Sequence, residues 1–248
     1  KIYVRMLLTI IINFIVGVLV GVSGIAGFLL PIYYISVMNL RSVEALALSF
    51  TAFIVSGALG SFNYYKKNLL NLRIAIILSI GSFFASFLGV KANLLIPEQI
   101  VQIILYTMVL LSGISILIRK NKENQKIKCN EFLLIVIGFV TGFICSISGA
   151  GGPIIVLPIL LMLGIGIHEA VATSLFNSVF IGIPSSIGYI LNSDLSIILP
   201  LIPAVILSHG AGVYFGSKNG NRINQDILKK TVAVFSILIS MYKLISLF

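Results

Sequence analysis

Between positions 100 and 118 the chain reads IVQIILYTMVLLSGISILI, nineteen residues without one charge. As a helix such a run covers a hydrocarbon core of about 30 Å. Nine further apolar segments accompany it, at 6–22, 28–38, 43–62, 74–95, 132–147, 153–163, 169–191, 197–215 and 227–248. The runs are long and show no alternating polar face, so the expectation is an all-α integral membrane protein rather than a barrel. Composition agrees: 58% of residues are hydrophobic and 10% charged, against about 25% charged in soluble domains. The formal charge of +10 does not imply a nucleic-acid partner, because the 17 basic residues gather in loops. Lys and Arg enrichment in cytoplasmic loops accounts for that, with the lipid bilayer as the partner.

One segment breaks its own pattern. Residues 142–158, GFICSISGAGGPIIVLP, carry four glycines, three hydroxyl or thiol side chains and two prolines inside an apolar run. A break at Ser148–Gly152 is expected, with a new helix starting near Pro153. Residues 17–31, GVLVGVSGIAGFLLP, have the same character. Sliding the chain by 125 places Ser23, Gly24 and Gly27 on Ser148, Gly149 and Gly152. Over 14–64 against 139–189 there are twelve identities, where biased composition gives about four or five. The chain therefore divides into a first transmembrane repeat (1–118), a charged linker (119–131) and a second repeat (132–248). Each repeat holds five hydrophobic segments, and the second of each is short. Eleven residues span about 16 Å, half a bilayer core.

The basic residues set an orientation. Lys66, Lys67 and Arg73, five in the linker, and Lys218, Arg222, Lys229 and Lys230 are assigned to the cytoplasm. Lys1, Arg5, Arg41, Lys91 and Lys243 then fall outside, with both termini. The first apolar run resembles a signal peptide but leads into the recurring motif, so it is expected to be retained. The loop near Asp194, equivalent to the Lys66 loop, has no basic residue. Equivalent loops on opposite faces mean inverted repeats. Parity makes the first two segments of each half a helical hairpin, either re-entrant or two full but thin helices.

A re-entrant hairpin puts the N-terminus of a short helix, near Phe28 and near Pro153, at the bilayer midplane. Free N–H groups and the positive end of the dipole make that point an anion site. The candidate binding residues are Ser23, Gly24, Ala26 and Gly27 on one side and Ser148, Gly149, Gly151 and Gly152 on the other, joined by Ser49, Thr173, Ser174 and Asn177 from the next helices. The plainer alternatives are close helix packing for the glycines and bonds to the i−4 carbonyl for the hydroxyls. Glu44 and Glu169 open those helices, where they complement the dipole; proton coupling is the alternative. His209 is ionisable inside a span and so is a third coupling candidate. Its first-half region carries Phe83 and Phe84, so no symmetric counterpart is expected. Metal, cofactor and enzymatic chemistry are not expected, since no metal-ligand spacing, Walker loop or mid-span carboxylate occurs.

The paired SGAGGPIIVLP and SGIAGFLLP segments, followed by EAVATS and EALALS, resemble the sulfite exporter TauE/SafE family, also called the sulfonate-uptake permeases. The resemblance covers nearly the whole chain. It implies a multi-span transporter of the bacterial or archaeal plasma membrane, moving small sulfur-containing anions such as sulfite or organosulfonates. By motif it assigns binding to both glycine turns and to Thr173 and Ser174. Half one departs from the pattern: Ala26 replaces Gly151 and Leu48 replaces Thr173. Another small anion, a non-transporting scaffold, and homo-oligomerisation remain open.

Overall fold

The computed structural model describes residues 2–24, 26–118, 130–219 and 225–247, with 2–5, 219 and 225–229 as backbone alone. Linker residues 119–129, Ile25 in the first glycine turn, and the side chains of Lys1, Arg5, Arg222 and Lys229 lie outside the described residues. The elements are α1 (Ile2–Ser23), a 3-10 turn (Ala26–Phe28), α2 (Leu29–Ser36), α3 (Ser42–Lys66), α4 (Leu72–Leu95), α5 (Glu98–Ile118), α6 (Glu131–Ser148), α7 (Gly152–Met162), α8 (Ile167–Leu191), α9 (Leu195–Ile198), α10 (Leu201–Asn219) and α11 (Gln225–Ser246). Among the described residues, six of them, α1, α3, α4, α5, α6 and α8, are long and apolar enough to cross a membrane. The protein is an all-helical, multi-pass membrane protein.

Local chemistry sets the helix ends. Asn71 and Asn130 cap α4 and α6 by accepting from the N–H groups of Ile74 (3.4 Å) and Phe132 (3.3 Å). Asp194 caps α9 by accepting from the Ser196 hydroxyl (2.7 Å) and N–H (2.9 Å), and those bonds hold its carboxyl below the usual carboxylate range. The four-residue α9 has no counterpart in half one. Pro200, which lacks an N–H, separates it from α10.

The two halves are not separate bodies. α1 packs on α10, and its equivalent α6 packs on α4; α3 lies against α8, and α5 against α11. Exchanging each helix for its partner in the other half maps this set of contacts onto itself. The α1–α10 and α4–α6 pairs pack backbone to backbone. A Cβ added at Gly17 would come 2.5 Å from the His209 carbonyl oxygen, and one at Gly142 would come 2.6 Å from the Cα of Ser82. Small residues let helices approach this closely where no hydrophobic effect drives them together.

α3 and α8 run antiparallel. Thr51 Oγ1 meets Ser186 Oγ at 2.9 Å, whereas the Gly57 position faces the carbonyl of Leu175. Polar contacts sort the loops into two ends. At one, Glu44 pairs with Arg41 and accepts from the Asp194 N–H (3.4 Å), Ser42 N–H donates to Glu98 (2.7 Å), and Gln99 donates to the Leu247 carbonyl (3.1 Å). At the other, Arg73 pairs with Glu131 and Asn63 donates to Ser217 (2.7 Å). The loop after α3 and the loop after α8 therefore lie at opposite ends.

Candidate functional site

Each half turns back on itself where its glycines cluster. α6 ends at Ser148, Gly149 takes φ 69°, Gly151 takes φ 81°, and α7 starts at Gly152 with Pro153 in its first turn. In half one Gly24 takes φ 77° directly after α1. These left-handed conformations suit glycine, and they reverse the chain within three or four residues. Both arms of the second hairpin open toward one end: α6 starts beside Arg73, and α7 leads into the start of α8, whose other end meets Glu44 through Asp194. α6 is long enough to cross a membrane, whereas the eleven residues of α7 rise about 16 Å, about half a bilayer core.

The depth of the turns differs from expectation. Gly149 lies against Leu46, the fifth residue of α3, and Gly24 against Val171, the fifth of α8. The first arm thus runs past the middle of the bundle, and the Ser-Gly turn is not at half depth. The reason is capping. The carbonyls closing α6 find Tyr189 Oη (to Ser146, 2.6 Å) and Asn93 Nδ2 (to Ile147, 2.6 Å) only near the far end, and unpaired carbonyls in hydrocarbon are costly. What lies at half depth is the start of each return arm.

There the two hairpins meet. Half one supplies Val20, Gly24, Gly27, Phe53 and Ser56 to the wall of one small cavity, and half two supplies Ala150, Gly151, Pro153, Ile154, Leu175 and Ser178. Phe53 and Ser178 are equivalent under the repeat, each the twelfth of 25 residues in its helix. The free volume is about 10 Å³, on the order of what one water needs. Among the described residues no charged side chain reaches the wall. Its polarity comes from the Ser56 and Ser178 hydroxyls and from the first turn of α7, whose N–H groups have no partner within the helix. The dipole of α7 places its positive end at the same point.

The structure distributes the expected site residues unevenly. Gly24, Gly27 and Gly151 line the cavity. Gly152 packs on the Ser178 hydroxyl just behind it, Gly149 sits further along the turn, and Ala26 is buried in the 3-10 turn. Ser148 holds the turn by accepting from the Ala150 N–H (3.2 Å), while Ser23 donates to the Leu19 carbonyl (2.7 Å). Ser49 and Ser174 bond to their own i−4 carbonyls, of Ala45 (2.7 Å) and Ala170 (2.6 Å). Thr173 and Asn177, one turn apart on α8, are fully buried, and neither the hydroxyl nor either amide atom has a protein partner. Buried polar atoms without partners are uncommon and call for an explanation.

The coupling candidates lie away from the cavity. Glu44 and Glu169 occupy first turns at opposite ends of the bundle, Glu44 tied to Arg41. His209 Nδ1 donates to the Asn13 carbonyl (3.2 Å), and its Nε2 is buried without a partner. Its positional equivalent is Ser82, not Phe83 or Phe84, and a serine does not supply an ionisable counterpart. Ser82 donates to the Gly138 carbonyl (2.9 Å), and Gly138 stands to α6 as Asn13 does to α1. The repeat has slipped by two residues in the fourth helix, so Phe83 and Phe84 are not the matching positions.

Sequence reasoning missed Phe53, Ser178 and Tyr189. Cys145 Sγ donates to the Gly151 carbonyl (3.4 Å) and so pins the turn from below. Tyr189 carried a signal, being identical to Tyr64 across the repeat.

A family profile described as Sulfite exporter TauE/SafE matches residues 7–243. The chain belongs to this family. Similar proteins include one from Bacillus subtilis, named "Probable membrane transporter protein YdhB", 25% identical over 237 residues and covering 91% of this chain and 95% of that one. Another, from Methanocaldococcus jannaschii and also named as a membrane transporter protein, is 29% identical over 249 residues, covering 92% and 89%. No solved structure matches significantly. As a TauE/SafE member the chain is a membrane transporter, and the paired hairpins lie inside the matched span.

Proposed function

We propose that the protein is a secondary transporter of small sulfur-containing anions, such as sulfite or organosulfonates, held at half depth between two re-entrant hairpins. The observation carrying this reading is that both glycine turns, from opposite repeats, border one cavity that has helix N-terminal N–H groups and no carboxylate. An anion is favoured there by dipole and amide hydrogens, and no cation is. Thr173 and Asn177, buried without partners on α8 but outside the wall of this cavity, are further hydroxyl and amide donors for the guest once the site opens. The repeats 1–118 and 132–248 act as an inverted pair, rocking about the site so that it opens to each face in turn. The chain lies in a prokaryotic plasma membrane with both termini outside and the linker 119–131 in the cytoplasm, as the basic loops favour.

Proteoliposomes loaded with sulfite, methanesulfonate, thiosulfate, formate or acetate test this. The expected result is flux of sulfite or a sulfonate that Gly151→Val and Gly152→Val abolish while the protein stays folded. Unchanged flux in both variants removes the turns from the mechanism, and flux of the carboxylates alone overturns the substrate class.

A further inference from the structure

We propose that Phe53 sets the size limit of the transported anion, a role resting on the reading above that the glycine turns hold the guest. The ring is wedged between the turns: a Cβ at Gly27 would stand 2.8 Å from its Cε1, and one at Gly151 would stand 3.3 Å from its Cε2. One side chain thus touches both return arms. Under the repeat its place is taken in half two by Ser178, which lines the same cavity with a hydroxyl. The cavity is therefore two-fold in backbone and one-sided in side chains, with the phenyl group filling the half that Ser178 leaves open.

Volume decides what must move. With the ring in place the free space is about 10 Å³, and a pyramidal oxyanion of four heavy atoms exceeds the single water this admits. The backbone around it is closely packed: a Cβ at Gly24 would stand 2.7 Å from Val171 Cγ1 and one at Gly152 would stand 2.6 Å from Ser178 Oγ, and the Gly151 carbonyl accepts from the Cys145 thiol. Phe53 is the largest side chain on the wall and 4% exposed, so rotation of its ring is the route to room. Its edge also meets Phe50 at a centroid distance of 5.6 Å, and Phe50 stacks on Tyr189 at 5.8 Å. The ring turns against an aromatic neighbour, not into empty space, which limits how far it yields. An anion with a longer carbon tail then meets the ring first.

The test compares wild type with Phe53→Ala, Phe53→Leu and Phe53→Trp in proteoliposomes, measuring competition of methanesulfonate, propane-1-sulfonate and benzenesulfonate against sulfite flux. Competition by the bulkier sulfonates is expected to gain about tenfold or more in Phe53→Ala, the scale on which apolar pockets discriminate single groups, and to fall in Phe53→Trp. Phe53→Leu keeps most of the volume and serves if the alanine variant does not fold; it is expected to gain for propane-1-sulfonate. An unchanged ranking in the folded variants, with Gly151→Val still abolishing flux, removes Phe53 from size selection and leaves the turns in place. Flux surviving Gly151→Val, with the ranking altered by Phe53→Ala, assigns the size limit to Phe53 and overturns the role of the turns.

Discussion

Asn177 brings an amide donor and a carbonyl acceptor into a fully buried part of α8 and gives neither to the protein. Leaving such a group unpaired costs about 1–3 kcal/mol. Its repeat equivalent is Ala52, and that of Thr173 is Leu48, so half one has already made both positions apolar. Asn177→Leu is therefore expected to stabilise the protein by about 1–3 kcal/mol, seen as a higher melting temperature in detergent, while flux falls. A lower melting temperature would show that the amide does have a structural partner. Such residue-scale asymmetries were legible in the chain, because a polar side chain stands out on a membrane helix. Phe53 was not: a phenylalanine in a span carries no mark of function, and its pairing with Ser178 acquires meaning only from the cavity they share.

At the scale of elements, the helix breaks were legible because glycine and proline state their conformational demands in sequence. α7 begins at Gly152, within one residue of the expected start. How far α6 penetrates was not legible, since it is fixed by Asn93 and Tyr189, capping groups on other helices. The glycines also divide into two kinds that composition does not distinguish. Gly142 lies on the α4–α6 contact, where a Cβ meets Ser82 backbone at 2.6 Å, whereas Gly166, before α8, has nothing within 4 Å of its Cβ position. Gly142→Val is expected to prevent folding or lower the melting temperature sharply, because two backbones must part. Gly166→Ala is expected to leave both melting and flux unchanged. Equal melting temperatures for the two variants would show that the α4–α6 contact is looser than described.

For the molecule as a whole, the repeat was visible in twelve identities, but not that the halves interlock, α1 on α10 and α6 on α4. Sequence matching reports equivalence and is silent on which equivalent helices touch. The antiparallel run of α3 against α8 puts the loops that follow them at opposite ends, the Asn68 loop with Glu131 and the Asp194 loop with Glu44. The described basic residues divide the same way, Lys66, Lys67, Arg73, Lys218 and Lys230 toward one end and Arg41, Lys91 and Lys243 toward the other. Five against three is a modest bias, and the positive-inside rule is decided mainly by short loops such as the one holding Lys66 and Lys67. Single-cysteine variants at Asn68 and Asp194, made without the native cysteines, put the arrangement to the test in intact cells with a membrane-impermeant maleimide. Labelling is expected at Asp194→Cys alone, with Asn68→Cys labelled only after the membrane is opened. The reverse pattern would keep the antiparallel pair and invert the assignment of faces, so that the turn of half one, not half two, enters from the cytoplasm. Labelling of both from outside would be incompatible with α3 and α8 spanning in opposite senses, and with it any cavity reached by one hairpin from each face.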